Sequence, residues 1–281
     1  MKKRYTKILI FLLMISLVST LVLAKPDNSL SRHRMPVIMP KDAIEVAPGV
    51  FSLGSRLYEG KIVEGYVILA HREDFEKSSA RNNAFGFNSK SPCYGFLATG
   101  AKWKTIEPYI VNPDNDRNLD PVFIRSNIAS DINKWEDAAN GIMNDGRGIN
   151  IFGNEGSGGV DGADMQAPDN KNEVYFAKID QPGVIAITVI WGIFSGPINQ
   201  RQLIEWDQVY NDVDFDWSTI GEAGKMDFEN IATHELGHSV GLNDLYNTKC
   251  SEQTMYGYAN YGETKKRTLE SGDITGINLL Y

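Results

Sequence analysis

Two histidines and a glutamate sit one helical turn apart in the stretch His234-Glu235-Leu236-Gly237-His238-Ser239-Val240-Gly241-Leu242-Asn243-Asp244. On an α-helix each residue turns the side chain by about 100°, so His234 and His238 fall roughly 40° apart and can share one ion. Glu235 lies on the flank of that face. From there it reaches a water on the metal without being consumed as a ligand, the arrangement for which the HExxH pattern is read as a hydrolytic zinc site. Gly241 is free to take the left-handed conformation and stop the helix. The turn after it carries Asp244 back as a third ligand and leaves a fourth position open, as a catalytic rather than structural zinc requires. The chain has four histidines, His33, His71, His234 and His238, so no downstream histidine completes the set.

The helix needs a core behind it. Ala232, Leu236 and Val240 fall on roughly the opposite side of the wheel from His234, which gives an apolar back and places the helix between a core and a cleft. Asp227 is the expected N-cap. Upstream, Ile128, Ile132, Trp135, Ala139 and Ile142 recur at spacings of four, three, four and three and predict a core-facing helix over 128–142.

Short apolar runs predict strands at 94–97, 108–111, 149–152, 174–179, 184–191 and 203–210, the last two rich in β-branched and aromatic residues. With Glu205 and Asp207 on one face, 203–210 reads as a half-exposed edge strand, whose free N–H and C=O groups could pair with an extended peptide. Two strands around a turn are expected over 49–69, and the polar run 71–91 reads as a linker. Ile274, Ile277 and Tyr281 keep helical spacing to the end. The loop 153–172, rich in Gly and Asp, is a candidate calcium site; the cluster Asp212, Asp214, Asp216 reads first as a solvated loop.

Lys2, Lys3, Arg4 and Lys7 precede an apolar run from Ile8 to Leu23 that ends at Val22-Leu23-Ala24, the pattern of a cleaved signal peptide. The formal charge is −8; loss of residues 1–24 leaves 24 basic against 36 acidic residues, or −12. An acidic exported chain speaks against a nucleic-acid partner. The expected division is a signal peptide 1–24, a removable pro-region or small β appendage with linker 25–92, and a catalytic domain 93–281. The protein is expected to be secreted and monomeric, without stable membrane insertion. Cys93 and Cys250 either pair, as an oxidising compartment allows, or Cys93 supplies a thiolate that blocks the open zinc position.

The run from His234 to Asp244, followed by Met255 in Thr254-Met255-Tyr256-Gly257-Tyr258, resembles the metzincin clan. Its wording is closest to the matrixin-like branch, whose loop reads Met-Tyr-Pro-x-Tyr and whose last helix resembles Asp273-Ile274-Thr275-Gly276-Ile277 and the closing Leu280-Tyr281. The resemblance covers roughly 93–281 and is specific from Asp227 on. It departs at the third ligand, where Asp244 stands in place of the usual His, a snapalysin-like feature. The resemblance implies an α+β zincin fold: a twisted, mostly parallel sheet with an antiparallel edge strand, a long helix packed on it, an active-site helix and a small C-terminal subdomain ending in a helix. It further implies that Met255 floors the site without binding the ion and that Tyr258 walls the pocket for the residue after the scissile bond. The implied activity is zinc-dependent hydrolysis of protein or peptide bonds, with Glu235 as general base. Two other readings stand beside it: a gluzincin-type site with Glu252 or Glu263 as third ligand, and a secreted adhesion protein whose zinc is structural.

Overall fold

The computed structural model describes residues 36–74 and 92–281. The signal-peptide expectation and most of the linker lie outside them. Among the described residues no helix is long and apolar enough to cross a membrane.

The strands are β1 (Ile44–Ala47), β2 (Val50–Tyr58), β3 (Lys61–Arg72), β4 (Glu107–Val111), β5 (Phe152–Glu155), β6 (Glu173–Phe176), β7 (Val184–Ile193) and β8 (Gln202–Tyr210), in the sheet order β1-β2-β3-β7-β8-β6-β4-β5. The strands β5, β4, β6 and β8 run parallel, and β7 is antiparallel to β8. This is the expected mixed α+β sheet. The two-strand unit expected at 49–69 is also present: β2 and β3 turn through Glu59 and Gly60, both at positive φ (47° and 75°), as a two-residue hairpin turn demands. It is built into the main sheet, because β3 pairs antiparallel with β7 from Glu64↔Gly192 to His71↔Val184.

Three expectations about elements are corrected. Residues 94–97 form no strand, only an isolated bridge from Phe96 to Leu242. The segment 203–210 is no edge strand: β8 lies between β7 and β6, and the antiparallel strand is β7, whose outer side carries β3. The alternation misled because both faces of β8 are buried. Trp206 and Tyr210 face the helices, while Glu205 and Asp207 lie under the loop preceding β6. The long helix, α1, spans Pro121–Ala138 rather than 128–142. Asp120 caps it by accepting from Val122 N, Pro121 begins it, and Ile142 lies beyond its end, 59 % exposed. The buried stripe extends backwards as Ile124, Ile128, Ile132 and Trp135.

The helix that carries the histidines, α2 (Phe228–Ser239), packs beside α1 on one face of the sheet, and the closing helix α3 (Ser271–Leu280) follows. Trp135 Nε1 donates to Thr233 O at 2.8 Å and pins α1 to α2. From the sheet, Gln208 Nε2 donates to Ser239 Oγ at 2.9 Å. The opposite face holds a second core of Leu53, Val63, Val67, Leu69, Tyr175, Ile187, Val189 and Trp191.

Candidate metal centre

The α2 helix forms where expected. Asp227 accepts from Asn230 N at 3.1 Å, and Gly241 reverses the chain at φ 107°, a conformation that L side chains rarely adopt. The apolar back is fully buried: Ala232, Leu236 and Val240 each show no exposure. On the other face, the Gly241 turn returns Asp244 to the histidines. Asp244 Oδ1 lies 3.3 Å from His234 Nε2 and 3.5 Å from His238 Nε2.

These separations test the donor set. Zinc held at about 2.0–2.1 Å by tetrahedral ligands sets neighbouring donor atoms about 3.3–3.4 Å apart. Each imidazole has its other nitrogen committed: His234 Nδ1 lies 2.7 Å from Thr254 O and His238 Nδ1 lies 3.0 Å from Leu242 O. A protonated Nδ1 donating to a carbonyl leaves the Nε2 lone pair for an ion. His234 Nε2, Asp244 Oδ1 and Glu235 Oε1 are buried without a hydrogen-bond partner, an arrangement costly enough to demand a ligand. The donor set of His234, His238 and Asp244 fits zinc.

The buried groups also perturb one another's charges. Burial disfavours a charge on both imidazoles. At His234 it dominates, the Lys266 ammonium adding to it, and the pKa falls to about 4. At His238 the Asp244 carboxylate outweighs it and the pKa rises. Burial alone would raise the Asp244 carboxyl, but the facing imidazoles of His238 and His234 hold it well below the usual range. Burial pushes Glu235 up to about 7, against the pull of His238 and the Thr188 hydroxyl.

Of the other residues singled out in the sequence, Met255 packs against the metal helix, while the rest lie further from the three donors. Met255 is buried, and a Cβ at Gly237 would overlap its sulfur, so the thioether lies beneath the turn between the histidines. Asp273 of α3 accepts from Thr254 N at 2.8 Å and Met255 N at 3.2 Å, which ties the methionine turn to the last helix. Tyr258 begins β9 (Tyr258–Ala259), a short strand pairing with β3, and its ring lies 5.3 Å from that of Tyr246. Cys93 and Cys250 form a disulfide, so no thiol faces the metal. Glu252 is 74 % exposed beside Lys265, and Glu263 lies 3.9 Å from the same lysine; neither joins the histidines. Of the cluster expected as a solvated loop, Asp212 is instead buried and accepts from Asp116 N, while Asp214 accepts from Asn211 Nδ2 and Asp216 pairs with Arg117 at 2.9 Å.

Two neighbours of the centre escaped sequence reasoning. Thr188 Oγ1 donates to Glu235 Oε2 at 2.6 Å and leaves only Oε1 free to act. Its signal was a hydroxyl on the inward face of an otherwise apolar strand. Lys266 is 1 % exposed, donates to Tyr256 O and lies 3.5 Å from His234 Nδ1; burial lowers its pKa to about 8. A second carboxylate group gathers across the sheet. Asp164, from the loop 153–172, meets Glu205 and Asp207 with ligand atoms within 4.8 Å of one another, and Glu205 Oε1 is buried and unpartnered.

No curated protein matches the chain. Residues 196–281, the segment that runs from β8 through both histidines, Asp244, Met255 and the last helix, match the family model for matrixin, Peptidase M10, and the likeness suggests a zinc metallopeptidase.

Proposed function

We propose that the chain is a secreted zinc-dependent endopeptidase in which His234, His238 and Asp244 hold the ion. The observation that carries this reading is the spacing of three buried donor atoms at 3.3 and 3.5 Å, with the unpartnered Glu235 Oε1 beside them. When bound, zinc supplies a Lewis acid that polarises a peptide carbonyl and acidifies water. Glu235 Oε1 takes a proton from the attacking water and returns it to the leaving amine. Thr188 holds the other oxygen of that carboxylate, so the side chain keeps one rotamer and one reactive face. Met255 and Tyr258 serve as floor and pocket wall. Secretion accords with the Cys93–Cys250 disulfide, since oxidising compartments favour such bonds.

The deciding experiment is Glu235→Gln assayed beside wild type on an unstructured protein such as casein. Zinc content should stay at one per chain while cleavage is lost. Retained cleavage refutes the role of Glu235. Cleavage absent in every form, with zinc tightly bound, supports the structural-zinc reading instead.

A second ion belongs to the same proposal. Calcium takes six to eight oxygen ligands. Asp164, Glu205 and Asp207 offer carboxylate oxygens at one point, and the orphaned Glu205 Oε1 calls for a cation there. We assign calcium to this group.

A further inference from the structure

Thr188 of β7 grips Glu235, so a peptide laid along the outer side of β7 passes the carboxylate that would handle the proton. On the other side of that path stands β9, which follows the Met255 turn. A peptide between them would add as a strand, hydrogen-bonded on both sides. In the structure the chain's own β3 takes this place. Leu69, Ala70 and His71 pair antiparallel with Ile187, Ala186 and Val184 of β7, while His71 and Arg72 pair parallel with Tyr258 and Ala259 of β9. The turn before β2 closes over the site: the Tyr246 hydroxyl lies 2.8 Å from Pro48 O and 3.1 Å from Asp244 Oδ2, and Gly49 O accepts from Leu69 N at 2.9 Å. Beneath this cover the side chains of His234, His238 and Asp244 are 1 % exposed, too little for a substrate carbonyl to reach them.

We infer that β3, with its hairpin partner β2, is a tethered competitor for peptide substrate, and that the chain cleaves only when β3 has left β7. The inference rests on the peptidase reading. With the Cys93 thiol tied up in a disulfide, latency is supplied by strand pairing rather than by a ligand to the metal. The seat is firm, because Val63, Val67, Ile68 and Leu69 are at most 2 % exposed. The open state is therefore rare, and apparent activity scales with its population.

Two variants of the zinc-loaded full chain test this on a quenched fluorescent peptide. Gly65 lies flat on Trp191, where a Cβ would meet ring atoms at 2.6–2.7 Å, so Gly65→Val wedges β3 away from β7 at a distance from the metal. It should raise kcat/KM by roughly tenfold or more, with zinc content unchanged. Val67 and Val189 are cross-strand partners on the face turned away from α2, and Val67→Cys with Val189→Cys staples the two strands. The oxidised staple should be inactive. Mild reduction that leaves wild type unaffected should restore it. An oxidised staple that cleaves as wild type does overturns the inference and leaves the peptidase reading intact, even if the wedge variant fails to fold. Absence of cleavage in all forms, including the wedge with zinc bound, overturns both.

Discussion

The sulfur of Met255 rests on the bare Cα of Gly237, in the space that a side chain at that position would fill. Gly237 lies in the turn between the two histidines, and the Trp135 ring closes the same space, 2.8 Å from where a Cβ would stand. Gly237→Ala should therefore displace Met255 and tilt the turn. Overpacking of this kind costs about 1–3 kcal/mol. The expected result is a lower Tm together with weaker zinc binding, read by thermal melts and zinc titration. Met255→Leu, which nearly conserves volume, should cost less than about 1.5 kcal/mol and keep zinc. A Gly237→Ala protein as stable and as zinc-avid as wild type would contradict the packing argument.

Asp244 and Glu252 give a paired test of the ligand set. Asp244 Oδ1 stands 3.3 Å from His234 Nε2, whereas Glu252 is an exposed partner of Lys265. Loss of groups that merely support a ligand weakens metal binding about 10–100-fold. Asp244→Ala, as loss of a ligand, should exceed that, and Glu252→Gln should leave zinc affinity unchanged. Competition with a chromogenic chelator measures both.

The candidate metal centre was legible in the sequence because its parts are local. His234, Glu235 and His238 lie on one helix, and Gly241 and Asp244 on the turn after it, so helical geometry and glycine chemistry suffice. What surrounds the centre was not legible, because it depends on partners far along the chain. Nothing near residue 68 reveals that it will lie beside Thr188, and nothing near Thr188 reveals Glu235. Alternation at 203–210 reported correctly which residues share a face. It could not tell that the face with Glu205 and Asp207 would be covered by a loop some forty residues earlier. The start of α1 differs in kind: Asp120-Pro121 is a local start signal, and the apolar stripe continues back from Ile128 to Ile124 as well as forward.

Thr188 supplies a prediction about positioning. Its hydroxyl is the partner of Glu235 Oε2, and a hydrogen bond to a charged group is worth about 1.5–3 kcal/mol. Thr188→Val keeps the shape and deletes the bond. It should lower kcat of the folded, zinc-loaded fraction by roughly ten- to a hundredfold with zinc content unchanged, and Thr188→Ser should recover most of the loss. A purely structural role would instead show as a fall in Tm with kcat preserved in the folded fraction.

The carboxylates behind the sheet make stability depend on pH and calcium together. Burial raises Asp164 to about 6 and Glu173 to about 7; at Glu205 burial, reinforced by Asp207 and Asp164, raises it to about 10, and Asp207 is also pushed well up. A carboxyl whose pKa is raised in the folded state binds its proton more tightly there than in the unfolded chain. Its contribution is complete below the ordinary value near 4 and is lost as pH rises through the folded value. Without added calcium, Tm should therefore fall by several degrees between pH 5 and pH 8. Asp131, buried and raised to about 7 despite Lys134, acts in the same direction. Calcium binds the deprotonated oxygens, so millimolar calcium should raise Tm more at pH 8 than at pH 5. Asp164→Asn removes one of the three facing carboxylates and should abolish that calcium response while leaving peptide cleavage in the presence of zinc. A calcium response that is equal at both pH values, or that persists in Asp164→Asn, would place the ion elsewhere.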